Sequence, residues 1–85
     1  MEEKRILGIL ITDRQKEAGE VQKLLTKYGC SIKTRLGLHE VTEDHCSREG
    51  LILLELTGDL SEMDKLENDL NQIQGTDTQK MVFKM

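Results

Sequence analysis

Two stretches of opposite pattern enclose a polar tip near the middle of the chain. Lys33-Thr34-Arg35-Leu36-Gly37-Leu38-His39-Glu40-Val41 alternates, and Leu51-Ile52-Leu53-Leu54-Glu55-Leu56 is almost wholly apolar. Between them lies Thr42-Glu43-Asp44-His45-Cys46-Ser47-Arg48-Glu49-Gly50. An alternating run, a tip and an apolar run read as a long β-hairpin. What lies on either side must then supply its partners.

Upstream, Arg5–Thr12 carries Ile6, Leu7, Ile9, Leu10 and Ile11, apolar on both faces, as in a central strand. Asp13 is placed to cap a helix that runs to about Tyr28. Ala18, Val21, Leu24, Leu25 and Tyr28 recur at helical spacing, with Lys16, Glu17, Glu20, Lys23 and Lys27 on the opposite side. Gly29 is expected to stop this helix with a positive φ. Downstream, Gly58 ends the apolar strand, Asp59 or Ser61 caps a second helix and Glu62 is a capping-box partner. Met63, Leu66, Leu70 and Ile73 form its apolar stripe, and Gly75 is the second expected positive-φ stop. Thr76–Met85 alternates again, with Met81, Phe83 and Met85 on one face.

The order β-α-β-β-α-β, with right-handed crossovers, gives a ferredoxin-like α+β fold. Its four-stranded antiparallel sheet runs 4-1-3-2, with two helices on one face. The two strands that order places at the centre are the two that read as apolar on both sides. Residues 1–85 form one such domain, without linker or low-complexity segment. In the second strand Ile32, Thr34, Leu36 and Leu38 are expected to share the core face, and Lys33, Arg35, Gly37 and His39 a polar, basic one. Two helices cover only one side of the sheet, so the other side leaves apolar surface in water. A homo-oligomer, dimer or tetramer, is the expected remedy, through sheet-to-sheet packing or edge pairing by the second strand.

Charge narrows the functions. The net charge of −4 disfavours direct nucleic-acid binding and anionic membranes. No apolar run reaches the length of a membrane span, and Met1-Glu2-Glu3-Lys4-Arg5 has no signal-peptide pattern, so the protein is expected to be cytoplasmic with Cys30 and Cys46 as thiols. There is no nucleophile elbow, phosphate-binding glycine loop, HExxH or CxxC, so no enzyme is expected. Cys30 reads as a small buried hydrophobe, and Met81 and Met85 as packing residues.

His39, His45 and Cys46, with Glu40, Glu43 and Asp44 among them, are the candidate ligands for a transition metal such as zinc, copper or nickel. Their spacing matches no standard closed zinc site, and the alternative reading is a solvated turn. Lys33, Arg35 and Gly37 are the candidate ligand or interface residues; the alternative for the two cations is a charged edge that discourages aggregation.

Ile6-Leu7-Gly8-Ile9-Leu10-Ile11 with Asp13-Arg14, Val21 to Gly29, and above all Thr34-Arg35-Leu36-Gly37-Leu38-His39 resemble the small proteins grouped as iron-only hydrogenase system regulators. The similarity covers nearly the whole chain. It implies a regulatory or ligand-sensing module, similar to ACT domains and to the ligand-binding domain of the nickel-responsive repressor, tied to iron-only hydrogenase maturation or expression. Any part in transcription regulation would be indirect. Against the repressor's nickel site, His39 and Cys46 fall near a strand histidine and the cysteine. The second strand position is Gly37 and the partner-subunit position falls near Thr26 or Tyr28, so two ligands are missing.

Overall fold

The computed structural model describes residues 3–38 and 49–85. The elements are β1 (Glu3–Ile11), α1 (Arg14–Lys27), β2 (Ile32–Leu38), β3 (Gly50–Leu56), α2 (Leu60–Asn71) and β4 (Thr76–Lys84). The antiparallel sheet has the order β2-β3-β1-β4, so the ferredoxin-like 4-1-3-2 arrangement holds, with β1 and β3 central.

Alternation along β1 sorts its residues cleanly. Leu7, Ile9 and Ile11 are buried with Leu54 and Leu56 of β3, against Val21 and Leu25 of α1, Tyr28 just after it, and Met63, Leu66 and Leu70 of α2. Both helices therefore cover the same side of the sheet. Arg5 belongs to this side too, and its burial needs charged partners. Its guanidinium donates to Glu3 at 2.9 Å and to Asp64 of α2 at 2.6 Å. These contacts raise the Arg5 pKa, and the Arg5 hydrogen bond holds the Asp64 carboxyl below its usual range.

Helix boundaries follow local chemistry. The Asp59 carboxylate accepts from Ser61 N–H at 3.0 Å and caps α2, while Glu62 pairs with Lys65 at 3.2 Å. Gly75 has φ +88, as expected of a residue turning the chain out of a helical segment. Gly29 does not: the positive-φ residues among those described are Gly58 and Gly75. After α1 the chain continues into a 3-10 turn, Gly29–Ser31, whose N–H groups need no left-handed residue. That turn buries Ser31 and leaves Cys30 exposed, reversing the expectation for the cysteine.

The second correction concerns β2. Ile32 pairs with Leu56 and Thr34 with Glu55, so Lys33 is an extra residue in the strand. Such a bulge shifts alternation by one position. Ile32 packs on the core, but Leu36 comes to lie opposite Leu53 on the side away from the helices, 51% exposed. Arg35, opposite Leu54, turns to the helix side and donates to Gln22 of α1. Lys33 and Arg35 thus do not share a face. His39, His45 and Cys46, with Glu40, Glu43 and Asp44, lie outside the described residues.

Candidate functional site

The sheet side without helices carries Lys4, Ile6, Gly8 and Leu10 of β1, Leu51, Leu53 and Glu55 of β3, Leu36 of β2, and Asp77, Gln79, Met81 and Phe83 of β4. Leu10, Leu36, Leu51, Met81 and Phe83 are exposed there, Met81 by 56% and Phe83 by 52%. Met81 and the terminal Met85 therefore pack into no core within one chain, contrary to the expectation for them. A contiguous apolar area of this kind marks an interaction surface.

At one end of the sheet this surface runs into a cleft of about 420 Å³. Its shape comes from Gly58, whose φ of +86 turns the chain sharply between β3 and α2. Lys4, Lys33 and Glu55 form its polar wall, and Leu56, Leu60 and Met85 its apolar side. Glu55 organises the wall. It accepts from the Thr34 hydroxyl at 3.0 Å and faces Lys4 at 3.5 Å and Lys33 at 4.0 Å. The Thr34 hydrogen bond, reinforced by both lysines, holds its carboxyl below the usual range against the opposing effect of desolvation. The result is a carboxylate flanked by two ammonium groups beside apolar surface, which suits a small ionised molecule. Of the three candidate residues from sequence, Lys33 lines the cleft; Arg35 is engaged with α1 and Gly37 lies opposite Ile52. Lys4 and Glu55 were missed, because the β1–β3 register brings them together and the bulge in β2 adds Lys33.

A second polar cluster sits at the far end of β1. Glu17, 5% exposed, accepts from Asp13 N–H at 2.8 Å and from the Thr12 hydroxyl at 3.0 Å through Oε1. Its Oε2 is buried without a hydrogen-bond partner, as is Thr76 Oγ1. The carboxylate occupies the space a side chain at Gly75 would need: an ideal Cβ there would lie 1.9 Å from Oε2. Just past α1, Tyr28 donates to Asp69 of α2 at 2.6 Å, which pushes its pKa up to about 12. That engagement, the lack of a side chain at Gly37 and the hydroxyl of Thr26 do not fit the repressor's nickel geometry. No group of three metal-binding side chains occurs among the described residues.

Fold and cleft together define a ferredoxin-like domain with one uncovered sheet face. Among solved structures, the chain is similar to the uncharacterized protein TM1266 from Thermotoga maritima, with 27% identity and a TM-score of 0.80 over 98% of this chain and 100% of that one. It shares its fold with CPII, a nitrogen regulatory PII-like protein from Thiomonas intermedia K12 bound to ADP, AMP and bicarbonate, at 13% identity and TM-score 0.55 over 98% and 97% of the two chains. A formyltetrahydrofolate deformylase from Pseudomonas putida KT2440 matches with 28% of its length over 92% of this chain, at 11% identity and TM-score 0.55. No family model and no curated protein matches the chain.

Proposed function

We propose that this chain is a non-enzymatic regulatory or ligand-sensing module that works as a homo-oligomer and holds a small ionised molecule in the cleft beside Lys4, Lys33 and Glu55. The observation that carries the reading is the continuity of that cleft with the uncovered sheet face, because a ligand there would touch whatever closes the face. Binding at such a boundary couples occupancy to assembly. The regulatory PII-like protein with the same fold supports it, as a ligand-bound example of this architecture. The tie to the iron-only hydrogenase system rests on the resemblance of Thr34–His39, and co-purification with hydrogenase maturation proteins tests it.

Native mass spectrometry of the protein as purified, with Lys4→Ala/Lys33→Ala beside wild type, tests the cleft. A retained small molecule in wild type that is lost from the variant supports the reading. An empty wild type that also gives no calorimetric heat with a panel of small metabolite anions and zwitterions overturns it. Metal binding by His39, His45 and Cys46 is the second proposal from the sequence. Calorimetric titration with Zn²⁺ and Ni²⁺, comparing wild type with His39→Ala and Cys46→Ser, tests it. Binding that depends on these residues should weaken as pH falls through about 6.5, where histidine takes up its proton.

A further inference from the structure

The two halves of the uncovered sheet face differ in relief and in charge. Toward the start of β1 the face is bulky and carries the Lys4 ammonium, 3.5 Å from Glu55: Lys4 lies beside Phe83, and Ile6 beside Met81. Toward its end the face is low and acidic: Gly8 lies beside Gln79, and Leu10 beside Asp77. Gly8 has no side chain to raise the surface, and a depression of about 250 Å³ opens there, lined by Gly8, Leu10, Leu51, Asp77 and Gln79.

We propose that a second copy of this chain closes the face in a two-fold pairing that lays β4 over β4 with the strands antiparallel. A two-fold axis in the plane between the sheets, running across the strands, exchanges the two ends and returns each strand to itself. The bulky half of one copy then meets the low half of the other. Met81 comes over the partner's Gln79 and enters the depression beside the partner's Gly8, while Lys4 and Phe83 come over the partner's Leu10 and the partner's Asp77, which sets Lys4 one strand spacing, about 5 Å sideways, from the partner's Asp77. Each contact occurs twice. Sheets stacked this way pack about 10 Å apart, with strand directions within about 30° of each other. A four-stranded face of this length offers on the order of 500 Å² per copy, near the lower end for stable interfaces. Shape fit and the two charge pairs therefore decide the affinity. The pairing deepens the assembly half of the proposed function and holds whether or not the cleft takes a ligand.

The test is solution mass by light scattering on the full chain, read against the 9.7 kDa of one copy. Wild type is expected at about twice that mass. Lys4→Asp and Asp77→Lys should each reduce it to the monomer, because each sets like charges one strand spacing apart across the closed interface. The double variant should regain the dimer. Lys4 and Asp77 sit six residues apart along the sheet, roughly 20 Å, so the rescue can pass only between copies. Gly8→Val is the control for folding. A Cβ at Gly8 meets its nearest neighbours, Gln79 O and Leu53 Cδ2, at ordinary distances of 3.6 and 3.7 Å. Its circular dichroism should match wild type while the dimer is lost to the filled depression. A wild type at 9.7 kDa, a dimer that survives Gly8→Val, or a charge swap without rescue would each overturn the pairing. Ligand binding is read separately, by native mass spectrometry, so the two proposals fail independently.

Discussion

Single residues hold this fold through a few buried polar contacts. Tyr28 is the only tyrosine, so its titration can be followed by absorbance without interference. Its hydroxyl donates to Asp69, and its pKa stands at about 12 against 10.0. A raised pKa means that the folded state disfavours the phenolate. The stabilisation is whole below pH 10 and is lost as pH rises from 10 toward 12. Denaturant midpoints across that range should fall for wild type and stay flatter for Tyr28→Phe. The Asp64 carboxyl, held down by Arg5, behaves in the opposite sense. Its contribution is present above the unfolded value near 4 and is lost as pH falls through its lower folded value. Asp64→Asn should therefore flatten the acid limb of the stability curve. At Gly75, alanine meets both the strained φ and the Glu17 carboxylate. Gly75→Ala should lose roughly 2–4 kcal/mol in chemical denaturation. Adding Glu17→Ala should recover only the part due to collision, a coupling that a double-mutant cycle measures.

At the level of elements, the order, type and central placement of the strands were legible in the residues, because each depends on local periodicity. Leu7, Ile9 and Ile11 alternate with Ile6 and Leu10, and the heptad-like stripe of Met63, Leu66 and Leu70 allows no other reading than a helix packed on one side. The bulge in β2 was not legible. Thr34, Leu36 and Leu38 alternate perfectly, and no residue type in Ile32-Lys33-Thr34 announces the extra position. It follows from pairing with Leu56 and Glu55, which is tertiary information. Gly29 misled for a similar reason: a glycine after a helix permits a left-handed turn without requiring one. Because Lys33 is the surplus residue, deleting it leaves Ile32 opposite Leu56 and Thr34 opposite Glu55. That deletion should change the melting temperature little. Deletion of Leu53 in the central strand should abolish cooperative melting, since it turns Leu54 out of the core.

The whole molecule has a core on one side and open apolar surface on the other. That asymmetry was readable from strands apolar on both faces and too few helices to cover them. The cleft was not readable, since Lys4, Lys33 and Glu55 are scattered along the chain and meet only in the fold. If copies pair through the open face, Leu53→Lys, which adds a charge beside Leu36 and Gly8 without touching the helical core, should lower the assembly state while the monomer keeps its circular dichroism. In the same way, the melting temperature of wild type should climb with protein concentration, as mass action requires, and that of Leu53→Lys should not.

The two outer strands differ in how they guard against runaway growth of the sheet. β2 is interrupted at Lys33, so its free backbone donors and acceptors do not form a continuous template. β4 runs nine residues in unbroken register with β1, and its outer edge presents an uninterrupted row. Lys80 and Lys84 are the charges that discourage a stranger from adding there. Lys80 is tethered to Glu67 at 3.0 Å, which leaves its charge partly neutralised. Under mild heat at high concentration, fibrils of this protein should nucleate along β4. Replacing Val82, whose N–H faces the free edge, with proline should delay the rise of thioflavin fluorescence, whereas the same change in β2 should not.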